Sequence, residues 1–301
     1  PGGNPRQGAD GLTMDGSKPQ ALLWDEHFDV IRLEGSGCAG FLHGQTSARV
    51  EGASSGQLLQ ACWLNATGRV QALLELRLDD QGADVLVLNG NPDHLAKGLD
   101  RVIFPADRVK LGAPRQQRRL QHLSSGQAPG PESVLWLDHD ANPPPPWDRT
   151  QACTAADLER WRLRQGWPLG AEEINGDTNP FELGLAAWVN LEKGCYLGQE
   201  TLAKLGSRGA VKQQLRCWQC ADQEAAELKP GDGLTLNGER AGRITSVAHP
   251  NRNEPQRGLA LIRRQALEAE ELQSEITESR PHPLTLTLQR PGAFQDPPSG
   301  R

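Results

Sequence analysis

The stretch Lys193-Gly194-Cys195-Tyr196-Leu197-Gly198-Gln199-Glu200 carries a cation, a thiol, a phenol, an amide and a carboxylate within a few residues. Gly194 and Gly198 can adopt positive φ, which predicts a tight loop that backbone or ligand can approach closely. Residues 199–205 have the pattern of a short helix ended by Gly206. Cys195 would then lie just ahead of a helix N-terminus, and that helix end and Lys193 both favour its thiolate form. The alternative interpretation is a glycine-bounded loop with a buried, inert cysteine.

The same stretch resembles the signature Lys-Gly-Cys-[Phe/Tyr]-x-Gly-Gln-Glu of the YgfZ family, the folate-binding relatives of the glycine-cleavage T-protein. The resemblance extends from Phe28 to Leu288. Segment 38–47 resembles the family's Phe-Leu-Gln-Gly-Gln stretch, and segment 64–68, Leu-Asn-Ala-Thr-Gly, resembles the T-protein's Leu-Asn-Ala-Ser-Gly turn. Arg162 falls on the arginine of the family's Arg-[Leu/Ile]-Glu-Ala-Gly-x-Pro segment. Segments 242–247 and 258–262 resemble the T-protein's C-terminal barrel.

Several positions depart from the family pattern. Ala48 and Arg49 stand where the family has Asn-Asp, and Arg164 stands where it has Glu. In the T-protein the Asn turn is followed by an acidic residue implicated in catalysis, whereas the matching positions here are Ala72 and Leu73. The missing carboxylate argues against aminomethyl transfer, and the Arg164 departure weakens the match to a folate contact near Arg162.

The resemblance implies an α+β fold with T-protein-like lobes around a central cavity and a C-terminal antiparallel β-barrel. It also implies tetrahydrofolate or another reduced folate in the cavity, and a role in assembling or repairing iron–sulfur clusters on other proteins. Through client enzymes this role extends to tRNA modification. Cys195 is the candidate catalytic residue, and no metal ligand is expected. The candidate cofactor-binding residues are Lys193, Gly194, Tyr196, Gly198, Gln199, Glu200, Arg162, Asn65 and Trp188.

Composition limits the function classes. The chain has 301 residues, 23% charged and 37% hydrophobic, with a formal net charge of -6. That charge disfavours general adhesion to nucleic acid or to an anionic membrane. No apolar run reaches the roughly 20 residues that span a bilayer, and no stretch resembles a secretory signal. We therefore expect a cytoplasmic protein without direct nucleic-acid or membrane binding. The resemblance implies that its partners are a small-molecule folate and iron–sulfur client or assembly proteins.

The cysteines are predicted to be free thiols because they are scattered along a large chain. Cys217 and Cys220 form a lone Cys-x-x-Cys pair on a predicted strand. Residues three apart on a strand point to opposite faces, so the two sulfurs should diverge. Structural cysteines are therefore favoured over a zinc or iron–sulfur site at this pair.

Hydrophobic periodicity divides the chain into four parts. Residues 1–20 are predicted to be a disordered tail, and residues 21–208 an α+β region with an irregular linker at about 112–150. The resemblance implies that this α+β region is T-protein-like and binds folate. Residues 209–291 are predicted to form the β-barrel, because short strands recur there between Gly- or Pro-bearing turns. Residues 292–301 are predicted to be a second disordered tail.

Three function classes compete. A folate-binding assembly factor is favoured by the signature stretch. A folate-dependent one-carbon (aminomethyl) transferase would need a carboxylate after the Asn65 turn. A cysteine-nucleophile enzyme using Cys195 would need a base directed at the thiol. None of the seven histidines is close to Cys195 in sequence.

Overall fold

A computed structural model describes residues 22–124, 130–208, 211–222, 227–248 and 254–297. The predicted tail 1–20 lies outside these residues, as do positions 298–301 of the second tail. Within the described ranges no helix is long and apolar enough to cross a membrane.

The N-terminal half is built on one antiparallel sheet whose strands differ in length. Its strands are β1 (Leu22–Glu34), β2 (Leu58–Leu64), β3 (Val70–Asp79), β4 (Gly82–Asn89), β5 (Lys110–Leu111), β6 (Arg115–Leu123) and β7 (Val134–Leu137). They are ordered β2-β3-β4-β1-β6-β7, with β5 paired to one end of β1. The long strand β1 is therefore central, and the predicted β2–β3 hairpin forms one edge.

Four α-helices occur among the described residues. They are α1 (Cys38–Gln45), α2 (Pro92–Asp100), α3 (Ala155–Gln165) and α4 (Gln199–Arg208). Thr154 and Asp157 cap α3 reciprocally, and Gly166 ends it with φ of 71°, as the sequence predicts. The predicted end of α4 at Gly206 is wrong, because the helix continues to Arg208. Gly within a helix costs about 1 kcal/mol, and the fully buried Leu202 anchors this helix.

The predicted irregular linker at about 112–150 is also incorrect in its first third. Residues Arg115–Leu123 form β6, which pairs with β1 from Leu22 to Val30. The strand escaped detection because three of its five buried positions, Gln117, Arg119 and Gln121, are polar. Arg119 is fully buried and donates to both carboxylate oxygens of Glu75, at 2.8 and 2.7 Å. A paired buried charge replaces the apolar residue that strand alternation normally reveals.

The C-terminal half is a closed antiparallel barrel. Its strands are β8 (Gln213–Cys220), β9 (Gly233–Leu236), β10 (Glu239–Val247), β11 (Gln256–Arg263), β12 (Glu271–Ser274) and β13 (Thr285–Gln289), ordered β10-β11-β8-β13-β12-β9. The α+β class and the C-terminal barrel are confirmed. Among the six barrel strands described, the sequence pattern missed β12, in which Leu272 is the one large buried apolar residue.

Three apolar clusters hold these layers together. One lies between the sheet and helices α1 and α2, and a second fills the barrel. The largest joins the other sheet face to α3, to segment 167–196 and to Leu215, Leu259 and Leu261 of the barrel. Cys217 packs against this joining cluster whereas Cys220 belongs to the barrel cluster. The two sulfurs thus lie on different faces of β8.

The predicted disordered tail from 292 begins too early. Ala293 and Phe294 are buried, and the backbone N–H of Ala293 donates to the Gln165 carbonyl at 3.1 Å. The Phe294 ring covers Gly184, where an added Cβ would lie 2.5 Å from a ring carbon. The Phe294 ring and the hydrogen bonds of Ala293 and Gln295 together dock residues 291–295 onto the protein.

Candidate functional site

The Asn65 turn and the signature stretch meet through their backbones. Asn65 Oδ1 accepts hydrogen bonds from the backbone N–H of Thr67 and of Arg69, both at 3.0 Å, which closes the turn between β2 and β3. Gly198 has φ of 82° and packs on this turn, so an added Cβ would lie 2.7 Å from the Asn65 carbonyl oxygen. Gly194 does not have positive φ. Asn65 therefore shapes the turn, and Gly198 is the glycine that the close approach requires.

Lys193 is committed to the protein interior. Its Nζ donates to the carbonyls of Thr46 at 2.5 Å and Ala48 at 2.7 Å, and to that of His43. These three bonds use all the N–H groups of the ammonium. Burial, with a smaller contribution from Arg49, lowers the pKa of Lys193 to about 8. The sequence predicted that Lys193 is a free cation for a folate carboxylate or for Cys195. In the structure it instead anchors the loop after α1.

Arg162 is likewise saturated. Its guanidinium donates to Glu159, to Glu173 Oε2 at 3.2 Å, to Ser246 Oγ at 3.1 Å and to the Trp167 carbonyl at 3.3 Å. Together these contacts use its five donors. Arg162 thus joins α3 to strand β10 of the barrel, and it has no N–H to offer a ligand.

Tyr196 is the residue of the signature stretch with an unused polar group. It is buried, and its hydroxyl has no hydrogen-bond partner among the described residues. Burial raises the pKa of Tyr196, and the Lys193 ammonium lies 4.4 Å from the ring centroid. A buried hydroxyl without a partner is costly unless a ligand or water supplies one.

Trp188 lies in the segment just before the signature stretch. Its ring centroid lies 5.7 Å from that of Trp167. Ser47 Oγ donates to the Trp188 carbonyl at 2.6 Å and accepts from the Cys62 backbone N–H at 2.7 Å. The segment before the signature stretch is in this way fixed to β2. Ser47 belongs to the family-like segment 38–47, and its residue type alone does not mark it as part of a site.

Gln199 and Glu200 have different surroundings. Gln199 Nε2 donates to the Lys193 carbonyl at 3.0 Å, which closes the loop at the start of α4. Glu200 is exposed and forms an ion pair with Lys204 one turn along the helix. Neither side chain is directed at a described recess, so both act on the local conformation.

Cys195 is exposed, unlike Cys217. His43 lies near the preceding residue, since an atom placed at the Cβ position of Gly194 would lie 3.8 Å from His43 Nε2. His43 Nδ1 accepts the Glu51 backbone N–H at 3.0 Å. In the neutral ring the proton is therefore on Nε2, which faces Gly194 as a donor. Burial, and then Lys193, lowers the pKa of His43.

The carboxylate that the T-protein turn would supply has no counterpart on β3 near the turn. Ala72 and Leu73 are fully buried in the two apolar clusters on either side of the sheet. The next carboxylate on the strand, Glu75, accepts from Arg119 and from Trp136 Nε1. It is therefore held within the sheet.

A recess that the sequence did not predict opens where the Asn65 turn ends. Its volume is about 530 Å³, and its charged lining residues are Arg69, Asp177, Glu182, Lys212, Arg263 and Arg264. Arg69 Nη1 donates to Glu182 Oε2 at 3.2 Å. Burial raises the pKa of Glu182, opposed by the Asn179 N–H, Arg69 and Lys212. We call this recess the charged groove.

Known proteins of similar sequence have the following relation to this chain. No family model matches the chain. It is 26% identical over 282 residues to a putative chloroplastic transferase of Arabidopsis thaliana, covering 80% of this chain and 64% of that protein. It is 25% identical over 280 residues to the tRNA-modifying protein YgfZ of Shigella dysenteriae, covering 78% of this chain and 83% of that protein.

A solved structure agrees with these relatives. The glycine cleavage system aminomethyltransferase T of Bartonella henselae superimposes with a TM-score of 0.68 at 17% identity, over 93% of this chain and 88% of that one. The likeness establishes the T-protein fold. Together, the relatives and the fold show that the chain is similar to YgfZ proteins and shares the fold of the glycine-cleavage T-protein.

Proposed function

We propose that the protein binds a reduced folate in the cytoplasm and supports iron–sulfur cluster assembly or repair on client proteins, including enzymes of tRNA modification. The observation that carries the proposal is the backbone contact between the Asn65 turn and Gly198. This contact brings together the two motifs that resemble the folate-binding family. The name of the Shigella relative, a tRNA-modifying protein, supports the link to tRNA.

The residues present fit such a ligand. The Tyr196 hydroxyl, within the signature stretch, is a buried polar group without a hydrogen-bond partner among the described residues. The charged groove begins at Arg69, directly after the Asn65 turn. We therefore expect Tyr196, Trp188 and the backbone of Gly194 and Gly198 to hold the folate. The bound folate would supply a carrier for a one-carbon unit. Lys193, Arg162, Asn65, Gln199 and Glu200 would act indirectly, by fixing the loops through the contacts described above.

Aminomethyl transfer is the less supported function. Ala72 and Leu73 are core residues, and Glu75 is held by Arg119. Nucleophilic catalysis by Cys195 is also disfavoured. His43 presents an N–H to that side of the loop, because its Nδ1 is occupied by Glu51, and a base needs a free lone pair there.

The test is isothermal titration of the purified chain with tetrahydrofolate. We expect saturable binding, and Tyr196→Phe should weaken it about 2- to 10-fold, as loss of a neutral hydrogen bond of about 0.5–1.5 kcal/mol implies. Thr277→Val, at an exposed barrel loop, is the control for loss of a hydroxyl. Absence of saturable binding would refute the folate proposal. Normal iron–sulfur enzyme activities in cells lacking the protein would refute the assembly role.

A further inference from the structure

The end of the barrel at which β8 begins carries two arginines at opposed positions. Arg216 is buried and shares the inner face of β8 with Trp218 of the barrel cluster, because alternate residues of a strand lie on one face. Leu288 of β13 pairs with Trp218, so Arg290, two residues further along, comes opposite Arg216. Two cations therefore stand side by side at one mouth of the barrel.

The Phe294 ring contacts both guanidinium groups. The Arg290 Cζ lies 4.8 Å from the ring centroid and the Arg216 Cζ lies 5.7 Å from it, within the range of cation–π contacts. Phe294 is buried, whereas the Arg290 side chain is 46% exposed, so the group is open to solvent on one side. We call Arg216, Arg290 and Phe294 the barrel-mouth cluster.

Arg216 lacks the carboxylate partner that a buried arginine normally has. Its Nη1 donates to the Leu215 carbonyl at 2.9 Å, and its Nη2 donates to Gln214 Oε1 at 3.0 Å. None of the ion pairs among the described residues includes Arg216. The other three arginines that are buried in the described part of the chain each have a carboxylate partner, namely Arg119 with Glu75, Arg162 with Glu173, and Arg280 with Asp232.

The positive charge of the cluster is not fully compensated. Burial, and then Arg290, lowers the pKa of Arg216. The carboxylates of Glu268 and Asp296 oppose this change without cancelling it. Like charges at directly opposed positions destabilise a sheet. An anion held by the two guanidinium groups would relieve both the repulsion and the cost of burying an unpaired cation.

The donors that remain favour a phosphate group as this anion. Arg290 donates to Asp296 through Nη2 at 2.7 Å, and its Nε and Nη1 have no acceptor among the described residues. A guanidinium presents its N–H groups as a fork that matches phosphate oxygens. A phosphate with two negative charges has oxygens for two forks, whereas a carboxylate fills one. The exposed carboxylates of Glu268 and Asp296 disfavour a nucleic-acid backbone, whose dense charge needs a uniformly basic surface.

We infer that the barrel-mouth cluster binds a terminal phosphate group, with Arg216 and Arg290 pairing its oxygens beside the Phe294 ring. The ligand is free phosphate or a small phosphate monoester, and mouths of β-barrels are common places for small ligands. The inference goes beyond the proposed function and does not depend on it. The cluster shares no residue with the signature stretch or with the charged groove.

The experiment is isothermal titration of the purified chain with inorganic phosphate, glycerol phosphate and acetate at fixed ionic strength. We expect saturable binding of a phosphate and at least about 10-fold weaker binding of acetate, because acetate cannot engage the second guanidinium. The tighter of the two phosphates identifies the source of the group. Arg290→Gln should weaken phosphate binding by about 10-fold or more. Asp296→Asn should tighten it about 2- to 5-fold, because it removes an exposed carboxylate that competes for Arg290.

Arg264→Gln is the matched control for Arg290→Gln, because Arg264 is an exposed arginine that lines the charged groove instead. Glu200→Gln controls for the charge that Asp296→Asn removes. The substituted side chains are exposed, so the variants should fold, which a urea denaturation curve checks.

Three results would overturn the inference. The first is a wild type that binds neither phosphate saturably, or binds acetate equally well. The second is an equal loss in Arg264→Gln, which would place the phosphate in the charged groove. The third is an Asp296→Asn variant that gains no affinity beyond that of Glu200→Gln. Each of these results leaves the folate proposal standing.

Discussion

Gly198 lies in backbone contact with Gly68: a Cβ added to Gly198 would stand 2.8 Å from the Gly68 Cα, and one added to Gly68 would stand 3.3 Å from the Gly198 carbonyl oxygen. Both glycines have positive φ, 72° for Gly68 and 82° for Gly198. The contact joins the start of α4 to the hairpin between β2 and β3. Two segments far apart in sequence are in this way held at van der Waals distance by the absence of side chains.

Gly198→Ala should therefore be strongly destabilising. The backbone strain of a non-glycine residue at positive φ costs about 1–2 kcal/mol, and the contact with the Asn65 turn adds a steric clash with backbone atoms. We expect the free energy of unfolding, measured by urea denaturation, to fall by about 3 kcal/mol. Folate affinity should fall with it, because the turn and the signature stretch would separate.

Gly238→Ala separates strain from contact. Gly238 has the same φ of 82°, but an added Cβ there has no atom within 4 Å. This control should lose only the strain energy, about 1–2 kcal/mol, and should keep folate binding. Equal losses of stability in the two variants would mean that the Gly68–Gly198 contact contributes nothing.

Lys193→Met should lower stability more than it lowers folate affinity. The change removes the ammonium and leaves the carbonyls of His43, Thr46 and Ala48 without this donor. A buried polar group that loses its partner costs about 1–3 kcal/mol, so we expect the free energy of unfolding to fall by about 3 kcal/mol or more. The exposed Lys204→Met, which breaks the pair with Glu200, should change it by less than about 0.5 kcal/mol.

The direct-contact hypothesis predicts a different outcome for the same variant. If Lys193 paired a folate carboxylate, Lys193→Met would weaken folate binding about 10- to 100-fold with unfolding unchanged. Measuring both quantities on one preparation distinguishes the two roles.

The sequence predicted the layers of the fold better than the partners of its charges. Apolar alternation revealed the β2–β3 hairpin and most of the barrel, whereas β6 was hidden because Arg119 and Gln121 occupy its buried face. The signature stretch was identified correctly, yet its cation was assigned to a ligand. Burial of Lys193 against three carbonyls depends on the fold of segment 43–48, which local pattern does not specify.

The charged groove was beyond sequence analysis for a similar reason. Arg69, Lys212 and Arg263 come from three separate segments, and each is an ordinary surface cation when considered alone. Only the pairing of β8 with β11 and the Leu215–Glu182 hydrogen bond bring them to one recess. Conversely, the missing carboxylate at Ala72 and Leu73 was visible in the sequence, because it concerns residue identity alone.

The pKa of Glu182 makes stability depend on pH. Burial raises it above its ordinary value of 4.5, so between 4.5 and the raised value the folded state binds more protons than the unfolded state. Stability should then fall as pH rises through that window. The Asn179 N–H, Arg69, Gln213 and Lys212 oppose this rise in the pKa of Glu182 without reversing its direction.

Unfolding of the wild type and of Glu182→Gln across this pH range gives the measurement. The wild type should lose stability relative to Glu182→Gln as pH rises, and Glu200→Gln, at an exposed carboxylate, controls for the loss of one negative charge. A wild type that gains stability relative to Glu182→Gln over the same interval would show that the Asn179 N–H and the cations Arg69 and Lys212 together outweigh burial.

Aminomethyl transfer should be absent or very slow. General acid–base help is worth about 10²–10⁴-fold in rate, and the positions that would supply it are Ala72 and Leu73. The assay is formation of methylene-tetrahydrofolate from an aminomethyl-loaded carrier protein, with a T-protein as positive control. Rates equal to those of the T-protein would show that another carboxylate, with Glu182 as the first to test, performs this step.

Cys195 should be the most reactive thiol of the described residues. It is exposed and lies four residues ahead of α4, whereas burial raises the pKa of Cys217 to about 12. The Cys217 sulfur also lies 3.3 Å from the Leu163 carbonyl oxygen, to which its S–H donates. At pH 7.5 alkylation with site assignment by mass spectrometry should label Cys195 first, and bound folate should slow it if the thiol borders the ligand.

Cys195→Ser should fold normally and fail to support iron–sulfur enzymes in cells, whereas Cys217→Ser serves as the buried-thiol control. Labelling of Cys195 no faster than Cys217, or full support by Cys195→Ser, would reduce the signature stretch to a shaped loop without thiol chemistry.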